Sequence, residues 1–178
     1  MTPPISLHIP GKIGDTMDNK SNDDRFPSRK HPRLKSYDYS TPNYYFITIC
    51  TWQKKNLFGT TKRLNDYGKI AENGILQIEK HFPDVRVDKF TVMPNHVHLI
   101  LDIQRKSSTV STIIGQYKAF VTKEIRKIEN HENIWQTSFH DHVIRDQKAY
   151  EKIWLYIDSN PKNWEKDCFF ENQEVKYK

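Results

Sequence analysis

Two histidines one residue apart, His96 and His98, stand inside the apolar run FTVMPNHVHLILDI at positions 90–103. Side chains of a strand alternate between faces, so a strand here aims both imidazoles the same way. The opposite face then carries Val97, Leu99, Leu101 and Ile103, an apolar row suited to packing under helices. Imidazole is the commonest protein metal ligand, and two on one face at the rim of a rigid sheet can chelate a divalent ion. The plainer alternative is a chance alternation on a well-packed strand. A second pair with the same spacing, His140 and His142, alternates with Phe139, Asp141 and Val143 and suits a surface or hydrogen-bonding role better.

Two histidines leave a metal short of ligands, so a third must come from elsewhere. The last helical pattern offers one. Tyr150, Ile153, Trp154 and Ile157 form its apolar stripe, and Tyr156 and Asn160, four apart, share a face beside that stripe. The Asn160 amide oxygen can ligate a hard cation, and the Tyr156 phenol can face whatever the cation binds. With an unperturbed pKa of about 10, tyrosine is a weak nucleophile at neutral pH. It becomes useful where a metal polarises a phosphodiester, so the set suggests metal-assisted attack on DNA. The bland alternative for Tyr156 is an amphipathic filler at a helix edge. Tyr117 is the rival nucleophile, but it lies within the stripe Ile113, Ile114, Phe120 and Val121 and is expected in the core.

The charge balance favours an anionic partner over the bland alternative, a soluble basic protein with none. The formal charge is +6 over 178 residues and the pI is near 9.2, which makes nucleic acid the first candidate. That length suits one domain with a real core, and 12% aromatics argue for a folded body. Cys50 and Cys168 form no paired motif, so neither a disulfide framework nor a zinc ribbon is indicated and a reducing cytoplasm is expected. There is no run of eighteen apolar residues, and the polar, proline-broken start MTPPISLHIPGKIGD lacks a signal-peptide core, so no membrane partner is expected.

The elements that must position these groups follow from pattern. Residues 1–36, with Pro3, Pro4, Pro10 and Pro27, are expected to be a flexible arm whose basic end includes Arg33, a candidate phosphate contact. Residues 37–178 are expected to form one domain. Tyr44–Thr51 is dense in β-branched and aromatic residues and predicts a buried strand. A helix is predicted over 65–81 with Asn65 or Asp66 as N-cap and Pro83 beyond its end; Gly68 and Gly74 weaken it. Two strands follow, 85–93 and the histidine strand, joined by Pro94-Asn95. A helix carrying Val110, Ile113, Ile114, Tyr117, Phe120, Val121 and Ile125, a short strand at 139–145, and a helix from Gln147 to Asn160 stopped by Pro161 complete the order. This order predicts an α+β sandwich, a mostly antiparallel sheet with helices packed on it.

The stretches MPNHVHLIL, WQTSFHDHVIRD and YIDSNPKNW together resemble the single-tyrosine HUH transposases of the insertion-sequence-200-like group, and within it the REP-associated tyrosine transposases. The resemblance spans about Tyr44 to Trp164. It implies a ferredoxin-like domain with the histidine pair on a central strand. It also implies His96 and His98 as the HUH histidines and Tyr156 as the nucleophile. Asn160 stands where many relatives carry glutamine as third ligand, a shorter chain with the amide retained. The implied cofactor is Mg²⁺ or Mn²⁺. The implied chemistry is cleavage and rejoining of hairpin-bearing single-stranded DNA through a 5′-phosphotyrosine, by a monomer or a homodimer. Arg145, Lys148 and Lys152 are candidate contacts to the DNA backbone, with hairpin recognition resting on shape and stacking. Two rival functions share the residues: a domesticated hairpin-binding protein that does not cut, and a metal-dependent hydrolase in which the histidines serve an activated water.

Overall fold

The computed structural model describes residues 37–170; the N-terminal arm and the Arg33 contact lie outside them. Four strands alternate with helices: β1 (Asn43–Cys50), α1 (Asp66–His81), β2 (Val85–Val92), β3 (His96–Ile103), α2 (Val110–Arg126), β4 (His140–Ile144) and α3 (Gln147–Ser159). The sheet order is β2-β3-β1-β4 with every pairing antiparallel, so the β-α-β-β-α-β core is ferredoxin-like and β3 is a central strand.

The alternation predicted along β3 sorts the two faces. Val97, Leu99, Leu101 and Ile103 are buried in the larger core with α1 and α2, where Ile75, Ile78, Ile113 and Val121 meet them. Tyr117 is buried in that same core, donating its hydroxyl to the Ala71 carbonyl. The histidine face is not left open. Ile100 and Ile144 meet Tyr150, Trp154 and Ile157 of α3 in a second, smaller core. Helices thus cover both faces of the sheet, and the stripe predicted on α3 is what docks it.

Caps and close approaches fix the helices. Asn65 caps α1 by accepting from Gly68 N–H, Thr109 caps α2 and Asp146 caps α3. Gly68 is required rather than tolerated, because a Cβ there would sit 2.4 Å from the Phe58 carbonyl oxygen. Backbone cannot rotate away, so Gly68→Ala is expected to lower stability by about 1–3 kcal/mol despite its better helix propensity. Urea denaturation with the midpoint shift at constant slope is the measurement.

One prediction changes at Pro161. α3 ends at Ser159, yet the chain continues as a 3-10 helix, Asn160–Lys166, with Pro161 in its first turn. A first-turn proline needs no N–H partner and its fixed φ suits a helix start, so it redirects the chain here instead of releasing it. That redirection brings residues 164–169 back over the histidines.

Candidate active site

The β3 register fixes the site floor. His96 and His98 face the same side, opposite Cys50 and Thr48 of β1. Both rings are 1% exposed or less, so they lie beneath other residues and not at a rim as alternation alone implied. The cover is aromatic: Phe169 has its ring centroid 4.7 Å from that of His96 and 6.0 Å from that of His98, and Trp164 lies 5.8 Å from His96. Pattern along a strand gives its two faces and says nothing of a distant segment that folds over one of them.

The imidazoles meet at Nε2, 2.9 Å apart. Burial pushes His96 down to about 4; burial and the neighbouring ring push His98 well below its ordinary value. Both are therefore neutral near pH 7, the form that ligates metals. Asn95 Oδ1 lies 2.8 Å from His96 Nδ1, and Thr48 Oγ1 lies 2.8 Å from His98 Nδ1.

α3 brings Tyr156 onto the same floor. Its Oη is 3.2 Å from His98 Nε2 of the same chain, and its ring stands edge-on to Phe46 at 6.1 Å. Tyr156 donates to Asp167 Oδ2 at 2.8 Å, and the Asn160 Nδ2 amide donates to that same oxygen. Burial, then the Asp167 hydrogen bond, raise the Tyr156 phenol above its ordinary range. Burial pushes the Asp167 carboxyl up, but hydrogen bonds from Asn160, Phe169 N–H and Tyr156 outweigh it and hold the pKa below its usual value. Asp167 is thus a carboxylate.

These donors suit a small divalent cation. His96, His98 and Asp167 each offer one atom, all within 4.8 Å of one another. Two ligands at right angles on an ion the size of Mg²⁺ stand about 3.0 Å apart, close to the observed separation of the two ring nitrogens. Asn160 is 3% exposed and its Oδ1 is buried with no hydrogen-bond partner among the described residues, a lone oxygen acceptor beside the set.

Of the residues singled out from the sequence, His96, His98, Tyr156 and Asn160 come together. Tyr117 lies on the far side of the sheet. His140 and His142 are exposed on edge strand β4, paired with Thr48 and Phe46 and so on the histidine face. Arg145 follows β4, and Lys148 and Lys152 are exposed on α3, spaced by four with Tyr156 along one side of the helix. Asp167, Asn95 and Thr48 carry no periodic signal. Thr48 stands between two isoleucines in a strand of aromatic and apolar residues, and its meaning appears only once β1 is registered on β3.

Known proteins resemble this chain along most of its length. The family model described as Transposase IS200 like matches residues 40–160. An uncharacterized protein of Haemophilus influenzae is 36% identical over 167 residues, covering 80% of this chain and 93% of that one. A second protein of that organism, provisionally named a REP-associated tyrosine transposase, is 25% identical over 134 residues, covering 70% and 73%. The solved structure of a REP-associated tyrosine transposase bound to a REP hairpin shares the fold with a TM-score of 0.59 and 22% identity over 74% of each chain. A provisionally named transposase from Deinococcus radiodurans shares it at 0.50 and 15%, over 71% of this chain and 95% of that one.

Proposed function

This chain belongs to the IS200-like transposase family, and from that membership we propose that it cuts and rejoins single-stranded DNA at hairpin-bearing sequences through a covalent bond to Tyr156. The observation that carries the proposal is the approach of Tyr156 Oη to within 3.2 Å of His98 Nε2 in one chain. A nucleophile and a ligand set then serve the same phosphate.

His96, His98 and Asp167 are the proposed ligands of Mg²⁺ or Mn²⁺, with Asn160 Oδ1 as a further oxygen donor. An ion held by these residues would supply charge withdrawal at the scissile phosphate. Tyr156 Oη attacks phosphorus in line; its hydrogen already points at Asp167 Oδ2, which receives the proton. The P–O3′ bond breaks, the leaving oxygen takes up a proton as a 3′-hydroxyl, and the 5′ end stays on Tyr156. Attack of a 3′-hydroxyl on that phosphotyrosine reverses the step with no external energy source. The solved relative bound to a REP hairpin supports a hairpin in DNA as the substrate feature.

Lys148 and Lys152 lead along α3 toward Tyr156, with Arg145 at its foot, and are proposed to follow the DNA backbone. For single strands each phosphate contact contributes about −0.7 to the slope of log K against log salt. The triple variant Arg145→Gln, Lys148→Gln, Lys152→Gln is expected to flatten that slope by about 2, measured by fluorescence anisotropy. An unchanged slope removes this path.

The test of the function is incubation of the chain with single-stranded hairpin DNA and Mg²⁺ or Mn²⁺, followed by denaturing electrophoresis. A covalent protein–DNA adduct is the expected product. Cleavage without an adduct favours a hydrolase, and binding with neither favours a hairpin-binding protein.

A further inference from the structure

The two site histidines are alike in sequence and unlike in what holds them. The Asn95 amide Nδ2 donates to the Lys54 carbonyl at 3.1 Å and the Phe169 carbonyl at 2.9 Å. Carbonyls only accept, so the amide cannot be turned around, and its Oδ1 faces His96 Nδ1 at 2.8 Å. An amide oxygen only accepts. His96 therefore carries its proton on Nδ1, and its Nε2 presents a bare lone pair.

His98 has a different partner. The Thr48 hydroxyl, 2.8 Å from His98 Nδ1, both donates and accepts, so it satisfies either tautomer of that ring. Around His98 Nε2 stand two acceptors: the bare His96 Nε2 at 2.9 Å, and Tyr156 Oη at 3.2 Å, whose own hydrogen is committed to Asp167. A proton on His98 Nε2 satisfies both. A cation held by both rings would require that same position to be bare.

We propose that Asn95 and Thr48 are positioning residues with unequal tasks. Asn95 keeps His96 permanently ready as a ligand. Thr48 rotates its hydroxyl so that His98 can move its proton from Nε2 to Nδ1 when a cation is taken up and back when it leaves, with no change in the ring's charge. With no cation His98 Nε2–H bridges to His96 and Tyr156, which holds the rings and the phenol in register; with one, His98 Nδ1–H donates to Thr48 Oγ1. The inference rests on the metal role proposed above, and it concerns neither DNA nor cleavage.

The test reads the rings directly. The full chain, labelled with ¹⁵N-histidine, is measured by long-range ¹H–¹⁵N correlation without metal and with saturating Mg²⁺. His96 is expected in the Nδ1–H form in both; His98 is expected to change from Nε2–H to Nδ1–H. An Nε2–H signature for His96 overturns the role of Asn95, and a His98 ring that keeps its tautomer while Mg²⁺ binds overturns that of Thr48. Mn²⁺ affinity supplies the second readout. Thr48→Val, close in shape but without the hydroxyl, is expected to weaken Mn²⁺ about 10–100-fold, and Thr48→Ser to restore it. Equal affinity for the valine variant sinks the proposal. A wild-type chain that takes up no Mn²⁺ overturns the tautomer change, while the His96 signature still decides Asn95. A chain that behaves as expected here yet forms no DNA adduct keeps this inference and loses the transposase mechanism.

Discussion

Tyr156→Phe is expected to abolish the covalent protein–DNA adduct completely while leaving the fold and DNA binding intact. The substitution keeps the ring that packs against Phe46 and His98 and removes one oxygen on a side chain 37% exposed. Its stability cost is about 1–3 kcal/mol, because the hydrogen bond lost runs to the Asp167 carboxylate. The loss is expected to be total because in the proposed mechanism that oxygen makes the bond to phosphorus, and the described residues bring no other tyrosine to the histidines: Tyr117 is buried across the sheet and Tyr150 is turned to Asp88. Tyr117→Phe is the control. It loses a 3.3 Å hydrogen bond to Ala71 and is expected to form adduct at the wild-type level. Adduct that survives Tyr156→Phe and disappears in Tyr117→Phe would reverse the assignment. Denaturing electrophoresis with labelled hairpin DNA reads both.

Loss of either site histidine is expected to be nearly as severe. His96→Ala and His98→Ala each delete a nitrogen of the shared pair, and chelation of the wild-type protein by EDTA removes the ion they are proposed to hold. A metal's stabilisation of charge on a phosphoryl oxygen is worth several kcal/mol, so single-turnover cleavage should fall by about 10³-fold in each case. Excess Mn²⁺ should restore the chelated wild type and neither variant. Emptying a buried site also leaves a cavity costing about 2 kcal/mol or more, so thermal denaturation must accompany the kinetics. Cleavage that persists in EDTA would remove the ion from the mechanism.

Much of the frame is readable without coordinates because it rests on local periodicity. Alternation along 96–103 separates the histidine face from the core face, and three-and-four spacing on α2 consigns Tyr117 to the core. The apolar stripe of α3 says which side docks and leaves Lys148, Lys152 and Tyr156 outside it. The alternation fails to disclose that the histidine face is itself covered. The second core under α3 and the aromatic lid of Trp164 and Phe169 come from segments distant in sequence. Pro161 misleads for a similar reason: it does end α3, but what it starts depends on the surface waiting to receive it.

By itself the sequence determined which side chains share a face, since strand and helix geometry set that within a few residues. It thereby paired His96 with His98 and Tyr156 with Asn160. Only the tertiary structure decided that these two pairs meet, and that Thr48, Asn95 and Asp167 join them. The register of β1 on β3 brings Thr48 to His98, and the turn of the chain after Ser159 brings Asp167 to Tyr156. The first spans fifty residues and the second eleven; both are set by how the whole core packs and not by the propensities of the residues that take part.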